Sequence, residues 1–251
     1  MRRILFGAGL LVMAAAAVAQ PHAPTEKPMV TAARLNAQLA VAYLKENEIA
    51  AAQEKIDKAL TQNPSDPGVQ VSAGLVYERL EQPDKADHFF AEAVRLDPKN
   101  PDLLNNYAVF LCRRGRYDKG QKLFEQAARN PAYSTPEVAY ANAGVCARSA
   151  KNLPRAEELF RKSLAARDNY PDALLQLADL TFGRGAGLAA RGLLARYFAV
   201  APASPEALML AIKVERSLGD HPTADRYRQQ LMVSVPASPQ ARQLRGAVSA
   251  E

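Results

Sequence analysis

The chain has 251 residues, of which 48% are hydrophobic, so it is long enough to bury a large core. Alanine and leucine dominate, aromatic residues make up only 7% and tryptophan is absent, a composition that favours helices. The formal net charge is +6, but basic residues are interleaved with acidic ones and are not clustered with aromatic residues. We therefore expect no nucleic-acid-binding surface.

The N-terminal segment has the pattern of a secretory signal peptide. Arg2 and Arg3 precede a short apolar run, and residues 17–19 (Ala-Val-Ala) place small side chains where a signal peptidase cleaves. The alternative, a transmembrane anchor, requires a longer apolar run. We predict a signal peptide over residues 1–19, a flexible leader over residues 20–32 and export to the periplasm.

After this leader, a pattern with a period of 34 residues runs through the chain. Counted from Pro67, small residues occupy positions 8, 20 and 27, a large apolar residue occupies position 24 and proline occupies position 32. Position 20 recurs as Ala52, Ala86, Gly120, Ala156, Ala190 and Ala224. Position 24 recurs as Ile56, Phe90, Phe124, Phe160, Leu194 and Arg228. This is the spacing of the tetratricopeptide repeat (TPR), a hairpin of two helices.

The period predicts an all-α, right-handed superhelical TPR solenoid of six helix-turn-helix repeats with a short C-terminal cap. The repeats cover residues 33–66, 67–100, 101–134, 137–170, 171–204 and 205–238, and residues 239–251 form the cap and tail. The two residues added after the third repeat fall between Pro131 and Pro136, which interrupt helices. Arg228 replaces the large apolar residue in the sixth repeat, as expected of a terminal repeat with a polar outer face.

No constellation of chemically active side chains accompanies this pattern. The three histidines lie far apart, and neither cysteine has a histidine at a zinc-ligand spacing. The stretch Gly183–Gly187 (GRGAG) lacks the lysine of a phosphate-binding loop, and its register indicates the turn between two helices of the fifth repeat. We therefore expect no enzyme activity, no cofactor, no metal and no small-molecule substrate.

The concave face of a TPR stack is formed mainly by positions 2, 5, 9, 12 and 13 of the first helix of each repeat. In the first three repeats, apolar residues at these positions define a candidate partner groove: Val41, Leu44, Val71, Leu75 and Val109. Val138 and Val145 continue the pattern in the fourth repeat. An apolar stripe along a groove favours an apolar or amphipathic protein segment as partner. The alternative, that several of these residues pack between adjacent helices, stays open.

The only two cysteines are Cys112, at position 12 of the third repeat, and Cys146, at position 10 of the fourth. Both lie near the ends of first helices that are neighbours in the predicted stack. In an exported protein, two cysteines placed in this way predict one disulfide bond. The alternative is a pair of buried thiols within a helix interface.

The third and fourth repeats carry a combination of features that generic TPR proteins do not share. These features are Asn105-Asn106-Tyr107, Phe110-Leu111-Cys112, the insertion with Asn130-Pro131 and Tyr133, and Asn142-Ala143-Gly144 with Cys146. In them the chain resembles the PilF/PilW type IV pilus biogenesis and stability proteins, over about residues 33–238. The resemblance implies a periplasmic scaffold that assists assembly, stability or localisation of the pilus secretin in the outer membrane. It also implies a disulfide between the third and fourth repeats.

The chain departs from that family at its N-terminus. Many family members carry an acylated cysteine directly after the signal peptide, whereas Ala19 and Gln20 stand at that place here. Three explanations stay open: a soluble periplasmic factor, outer-membrane association through a partner, or a misassigned start. The alternative function is that of a general periplasmic TPR adaptor for envelope or cell-wall enzymes.

Overall fold

The computed structural model describes residues 28–248, and within this range the chain forms thirteen α-helices and no strand. The helices are α1 (Pro28–Lys45), α2 (Ile49–Gln62), α3 (Pro67–Arg79), α4 (Pro83–Leu96), α5 (Pro101–Arg113), α6 (Tyr117–Ala128), α7 (Pro136–Ser149), α8 (Leu153–Ala166), α9 (Pro171–Gly183), α10 (Gly187–Val200), α11 (Pro205–Ser217), α12 (His221–Ser234) and α13 (Pro239–Val248). The predicted signal peptide and the leader up to residue 27 lie outside the described residues. None of the described helices is both long and apolar enough to cross a membrane.

Twelve of these helices pair into the six predicted hairpins, which confirms the all-α TPR stack. In each repeat, the odd-numbered helix is the first helix and the even-numbered helix is the second. Helices α3, α5, α9 and α11 begin at prolines at the predicted repeat starts, because the fixed backbone angle of proline suits the first turn of a helix. Helix α1 begins at Pro28, so the last residues of the predicted leader are helical.

Close packing inside each hairpin depends on the small and large residues of the repeat. A Cβ atom added at Gly74 would lie 2.9 Å from the Phe90 ring, and one added at Gly144 would lie 2.5 Å from the Phe160 ring. Both rings are almost completely buried. The glycines at position 8 therefore let the phenylalanines at position 24 fill the space between the two helices.

Neighbouring repeats contact one another unequally, and this inequality curves the stack. Each first helix contacts the first helix of the next repeat, and each second helix also contacts that next first helix. Within residues 28–248, the backbones of second helices in neighbouring repeats do not approach one another closely, although the side chains of Arg155 on α8 and Glu125 on α6 form an ion pair at 2.9 Å. The first helices therefore lie closer together and line the concave face, while the second helices form the convex face.

The turn between the two helices of each repeat has one residue in the left-handed backbone conformation. The six residues all occupy position 15 and have φ between 56° and 80°: Asn47, Glu81, Gly115, Lys151, Gly185 and Gly219. Glycine adopts this conformation without strain, whereas other residues crowd their own Cβ atom. The glycine-rich stretch 183–187 thus forms the helix-to-helix turn that its register predicts.

The C-terminal end of the stack is closed by α13, the predicted cap. This helix packs against α11 and α12 and covers Leu208, Ile212 and Leu231, which are 2% exposed or less. In α12, Arg228 is partly exposed and pairs with Asp225 at 3.6 Å, although its position holds a buried apolar residue in the first five repeats.

Candidate partner groove

The structure separates the five predicted groove residues into two groups. Val41 and Leu44 on α1, Leu75 on α3 and Val109 on α5 are partly exposed, and Val109 lines a depression on this face. Val71 is only 8% exposed and belongs to the core shared by the first three repeats, so it contributes little surface to the groove. The packing alternative therefore applies to Val71 and in part to Leu44 and Leu75, which pack against the same core.

Position 9 of the first helices supplies a continuous apolar row along the concave face. We call it the apolar row, and it consists of Val41, Leu75, Val109 and Val145. Val145 is the most open of these side chains, since 44% of its surface remains exposed. The same position holds Asp179 in the fifth repeat and Lys213 in the sixth, so the apolar row ends after the fourth repeat.

A row of basic side chains runs beside the apolar row, and we call it the basic row. Its members are Lys45, Arg79, Arg113 and Arg148, all exposed near the ends of first helices. Three of them reach to a neighbouring repeat: Arg79 donates to Asn47 Oδ1 at 2.7 Å, Arg113 lies 3.3 Å from Glu78, and Arg148 lies 3.0 Å from Asp179. These contacts orient the guanidinium groups while leaving them accessible to solvent.

Between the third and fourth repeats, a depression of about 170 Å³ opens beside the disulfide. It is lined by Val109, Cys112, Arg113, Phe124, Asn142, Val145, Cys146 and Ser149. The lining combines apolar side chains with the guanidinium group of Arg113, the amide of Asn142 and the hydroxyl of Ser149. A depression of this kind suits one aliphatic side chain of a bound protein segment.

The predicted disulfide is present, and it joins α5 to α7. Cys112 and Cys146 are bonded, with their Cα atoms 5.5 Å apart and both side chains buried. The bond also accounts for the glycine at position 20 of the third repeat. A Cβ atom added at Gly120 would lie 2.4 Å from Cys112 Sγ, so the alanine found in the other repeats does not fit.

The residues that carry the family resemblance make contacts between the third repeat and its neighbours on both sides. Asn142 Nδ2 on α7 donates to Asn105 Oδ1 on α5 at 3.1 Å. The Tyr107 hydroxyl donates to Asp87 Oδ1 on α4 at 2.8 Å, and burial together with this bond raises the pKa of Tyr107 to about 12. Tyr133, in the insertion, is buried in a small core between the third and fourth repeats. The resemblance therefore rests on residues that join the third repeat to the second and to the fourth.

Among residues 28–248, no three His, Cys, Asp or Glu side chains converge in a way that could hold a metal ion. His88 packs edge-on against Phe89. The side chains that line the groove are mainly aliphatic, amide and guanidinium groups.

Two models of the tetratricopeptide repeat match the chain. One matches residues 89–122, and the other matches residues 38–101 and 111–173, which together make up half of the chain. The chain belongs to the tetratricopeptide repeat family.

Within this family, the chain is related to type IV pilus biogenesis factors. It is 27% identical over 201 residues to the type IV pilus assembly protein PilF of Pseudomonas aeruginosa, which is 80% of each chain. A solved structure of that PilF superimposes with a TM-score of 0.72 at 26% identity, covering 88% of this chain and 100% of the PilF chain. PilW, a widely conserved type IV pilus biogenesis factor, gives 0.72 at 28% identity, covering 84% of this chain and 97% of PilW. The predicted relationship is confirmed.

Proposed function

We propose that this chain is a non-enzymatic periplasmic scaffold that assists the assembly, stability or localisation of the type IV pilus secretin in the outer membrane. The proposal is carried by one observation: the likeness to PilF extends over the entire solved PilF chain and 88% of this one. If the likeness were limited to one hairpin, it would show only that both proteins contain a tetratricopeptide repeat. TPR stacks bear no chemistry of their own and act through the surfaces they present.

In this proposal the secretin contacts the groove at the first two repeats, with Val41, Leu44 and Leu75 as the central side chains. Leu44 and Leu75 also pack against the core of the first repeats, whereas Val41 belongs to no core cluster. Burial of such side chains on a partner contributes roughly 25 cal/mol for each Å² of apolar surface. Part of this gain is offset by the ordering of the partner segment.

Replacing Val41 with glutamate tests this contact. The variant places an unpaired charge in the interface, so we expect secretin binding to weaken about tenfold or more, which corresponds to roughly 1.4 kcal/mol. The fold should remain intact because Val41 is partly exposed. The measurements are the thermal melting of the purified variant, and the secretin multimers and surface pili of cells whose only copy is the variant.

Leu188→Glu is the matched control, because Leu188 is 72% exposed on α10, outside the proposed contact. We expect it to leave melting, secretin multimers and pili unchanged. If Val41→Glu melts normally and the cells assemble normal secretin and pili, the contact does not lie in this groove. If deletion of the whole gene leaves secretin multimers and pili intact, the proposed function itself is wrong.

Export is the second testable part of the proposal. The Ala-Val-Ala pattern at residues 17–19 places the mature N-terminus near Gln20. We expect the protein in the periplasmic fraction, with a mass that matches a chain starting there and no added lipid. Recovery of an intact or acylated N-terminus would contradict this expectation.

A further inference from the structure

The apolar row and the basic row have a fixed relation that specifies the chemistry of the partner. Each apolar residue is followed on the same helix by a basic residue, at a spacing of four residues in the first three repeats and three in the fourth. The pairs are Val41 with Lys45, Leu75 with Arg79, Val109 with Arg113, and Val145 with Arg148. Residues spaced by three or four lie on one face of a helix, so the two rows run side by side along the groove.

The helix dipole alone does not account for this arrangement. A basic residue near the C-terminus of a helix is favoured wherever it stands in the last turn. In the first four repeats, however, each basic residue lies on the same helix face as the exposed apolar residue of its own helix. The helix dipole explains why basic residues occur at these helix ends. It does not explain why these residues share one helix face with the exposed apolar residues in four repeats, and this shared face indicates a common ligand.

The basic row keeps a net positive charge despite its contacts within the protein. Its four cations face two carboxylates, Glu78 beside Arg113 and Asp179 beside Arg148. Arg79 contacts a neutral amide, that of Asn47, and the Arg113 side chain is 64% exposed. The guanidinium groups are thus oriented by neighbouring repeats and remain free to bind further carboxylates.

The pattern ends with the fourth repeat, which limits the length of the partner segment. Neighbouring helices lie about 10 Å apart, and a segment extended in the polyproline II conformation advances about 3.1 Å per residue with three residues per turn. Every third side chain of such a segment lies on the same face, so an apolar residue at every third position meets successive repeats. About ten to twelve residues span the four repeats, and the depression beside the disulfide receives one of the central side chains.

We propose that the groove of the first four repeats binds an extended acidic segment of a protein, with aliphatic side chains on the apolar row and carboxylates on the basic row. This inference rests on the proposed function, because it describes the secretin segment that this scaffold would hold. It adds the charge, the spacing and the extent of that segment.

Fluorescence anisotropy with synthetic peptides tests the inference on the whole mature chain. The probe is a labelled peptide of twelve residues with leucine at every third position and aspartate elsewhere. One comparison peptide has lysine in place of aspartate, and another has serine in place of leucine. We expect the acidic leucine peptide to bind at least tenfold more tightly than either, and its binding to weaken as salt screens the charges. Equal binding of the lysine peptide, or no binding of the acidic leucine peptide, would overturn the inference.

The variant Arg79→Glu tests whether the basic row binds the peptide, because it reverses the charge of a side chain whose contact is a neutral amide. We expect at least a tenfold loss of affinity for the acidic leucine peptide and a gain for the lysine peptide. Arg216→Glu is the matched control, since Arg216 is an exposed base on α11, beyond the fourth repeat, and should change neither affinity. Equal effects of the two variants would show that overall charge, and not this row, binds the peptide.

The two proposals fail in different ways. If Arg79→Glu abolishes peptide binding while the cells that carry it keep normal secretin multimers and pili, the groove binds acidic segments as proposed, but the secretin is not its partner. If secretin multimers depend on the protein but the acidic peptide does not bind, the scaffold function stands and the partner chemistry is wrong.

Discussion

The absence of a side chain at Gly120 follows from a contact with a residue outside its own helix. It occupies the position that is alanine in the other five repeats, and the space for a methyl group there is taken by Cys112 Sγ. The Ala108 carbonyl oxygen lies 3.1 Å from the same point. A disulfide has few ways to move aside, because it is tied to two helices. The glycine is therefore a consequence of the bond between α5 and α7.

We expect Gly120→Ala to destabilise the oxidised protein by about 1–3 kcal/mol, as overpacking of a rigid site does. In a background with Cys112→Ala and Cys146→Ala, the same change should have a much smaller effect, because the sulfur is gone. The measurement is urea unfolding, monitored by circular dichroism. It compares the wild-type protein, Gly120→Ala, the double cysteine variant and the double cysteine variant that also carries Gly120→Ala.

Gly192→Ala provides the control for this comparison. Gly192 lies within α10 and has no atom within 4 Å of the added Cβ, so the helix preference of alanine should stabilise the protein by about 0.5–1 kcal/mol. If Gly120→Ala destabilised both cysteine backgrounds equally, the Ala108 carbonyl, and not the disulfide, would exclude a side chain there.

At the scale of the helices, one residue in the left-handed backbone conformation joins the two helices of each repeat. Three repeats place glycine there, and three place Asn47, Glu81 or Lys151. A left-handed backbone costs a residue with a side chain about 1 kcal/mol relative to glycine. The shared geometry of all six turns shows that hairpin packing imposes the conformation whatever residue stands at the turn.

Two opposite substitutions test this strain. Glu81→Gly should raise the free energy of unfolding, by up to about 1 kcal/mol, because it relieves the strain at an exposed turn. Gly115→Ala should lower it by about the same amount, since a Cβ atom there meets no neighbouring atom and only the backbone conformation opposes it. Thermal melting decides between the outcomes, and a loss of stability with Glu81→Gly would contradict the argument.

At the scale of the whole molecule, the stack is held together by contacts between neighbours. Every helix contact joins helices of the same repeat or of adjacent repeats, or joins α13 to the last repeat, within residues 28–248. Stability in such a stack is close to a sum of repeat and interface contributions. The ends are therefore the weakest parts, and they need a cover for the apolar face that they would otherwise expose.

Truncation after Ser238 tests the role of the cap. Loss of α13 uncovers Leu208, Ile212 and Leu231, so we expect the sixth repeat to unfold at lower urea concentration than the rest of the stack. Hydrogen exchange should become faster in α11 and α12 while α1 to α8 keep their protection. Uniform loss of protection along the chain would instead indicate that the stack unfolds as one unit.

The amino-acid sequence by itself determined the repeat and its register. Small residues, large apolar residues and prolines recur every 34 residues, and each hairpin folds through contacts inside that window, so the number and order of the helices follow from local patterns. The relationship to pilus biogenesis factors was also predictable, because it rests on residues such as Asn105 and Tyr107 together with the two cysteines. The tight turn at residues 183–187 followed from its register in the same way.

The tertiary structure decided which of the equivalent side chains face solvent. Val41 and Val71 have the same chemistry in the sequence, yet one remains partly open and the other is buried between repeats. The structure also decided that Cys112 and Cys146 are bonded rather than separate thiols, and that Gly120 makes room for the bond. The physical reason is that burial and bonding depend on how one repeat is placed on the next. That placement brings together residues about 34 positions apart and lies outside any local pattern.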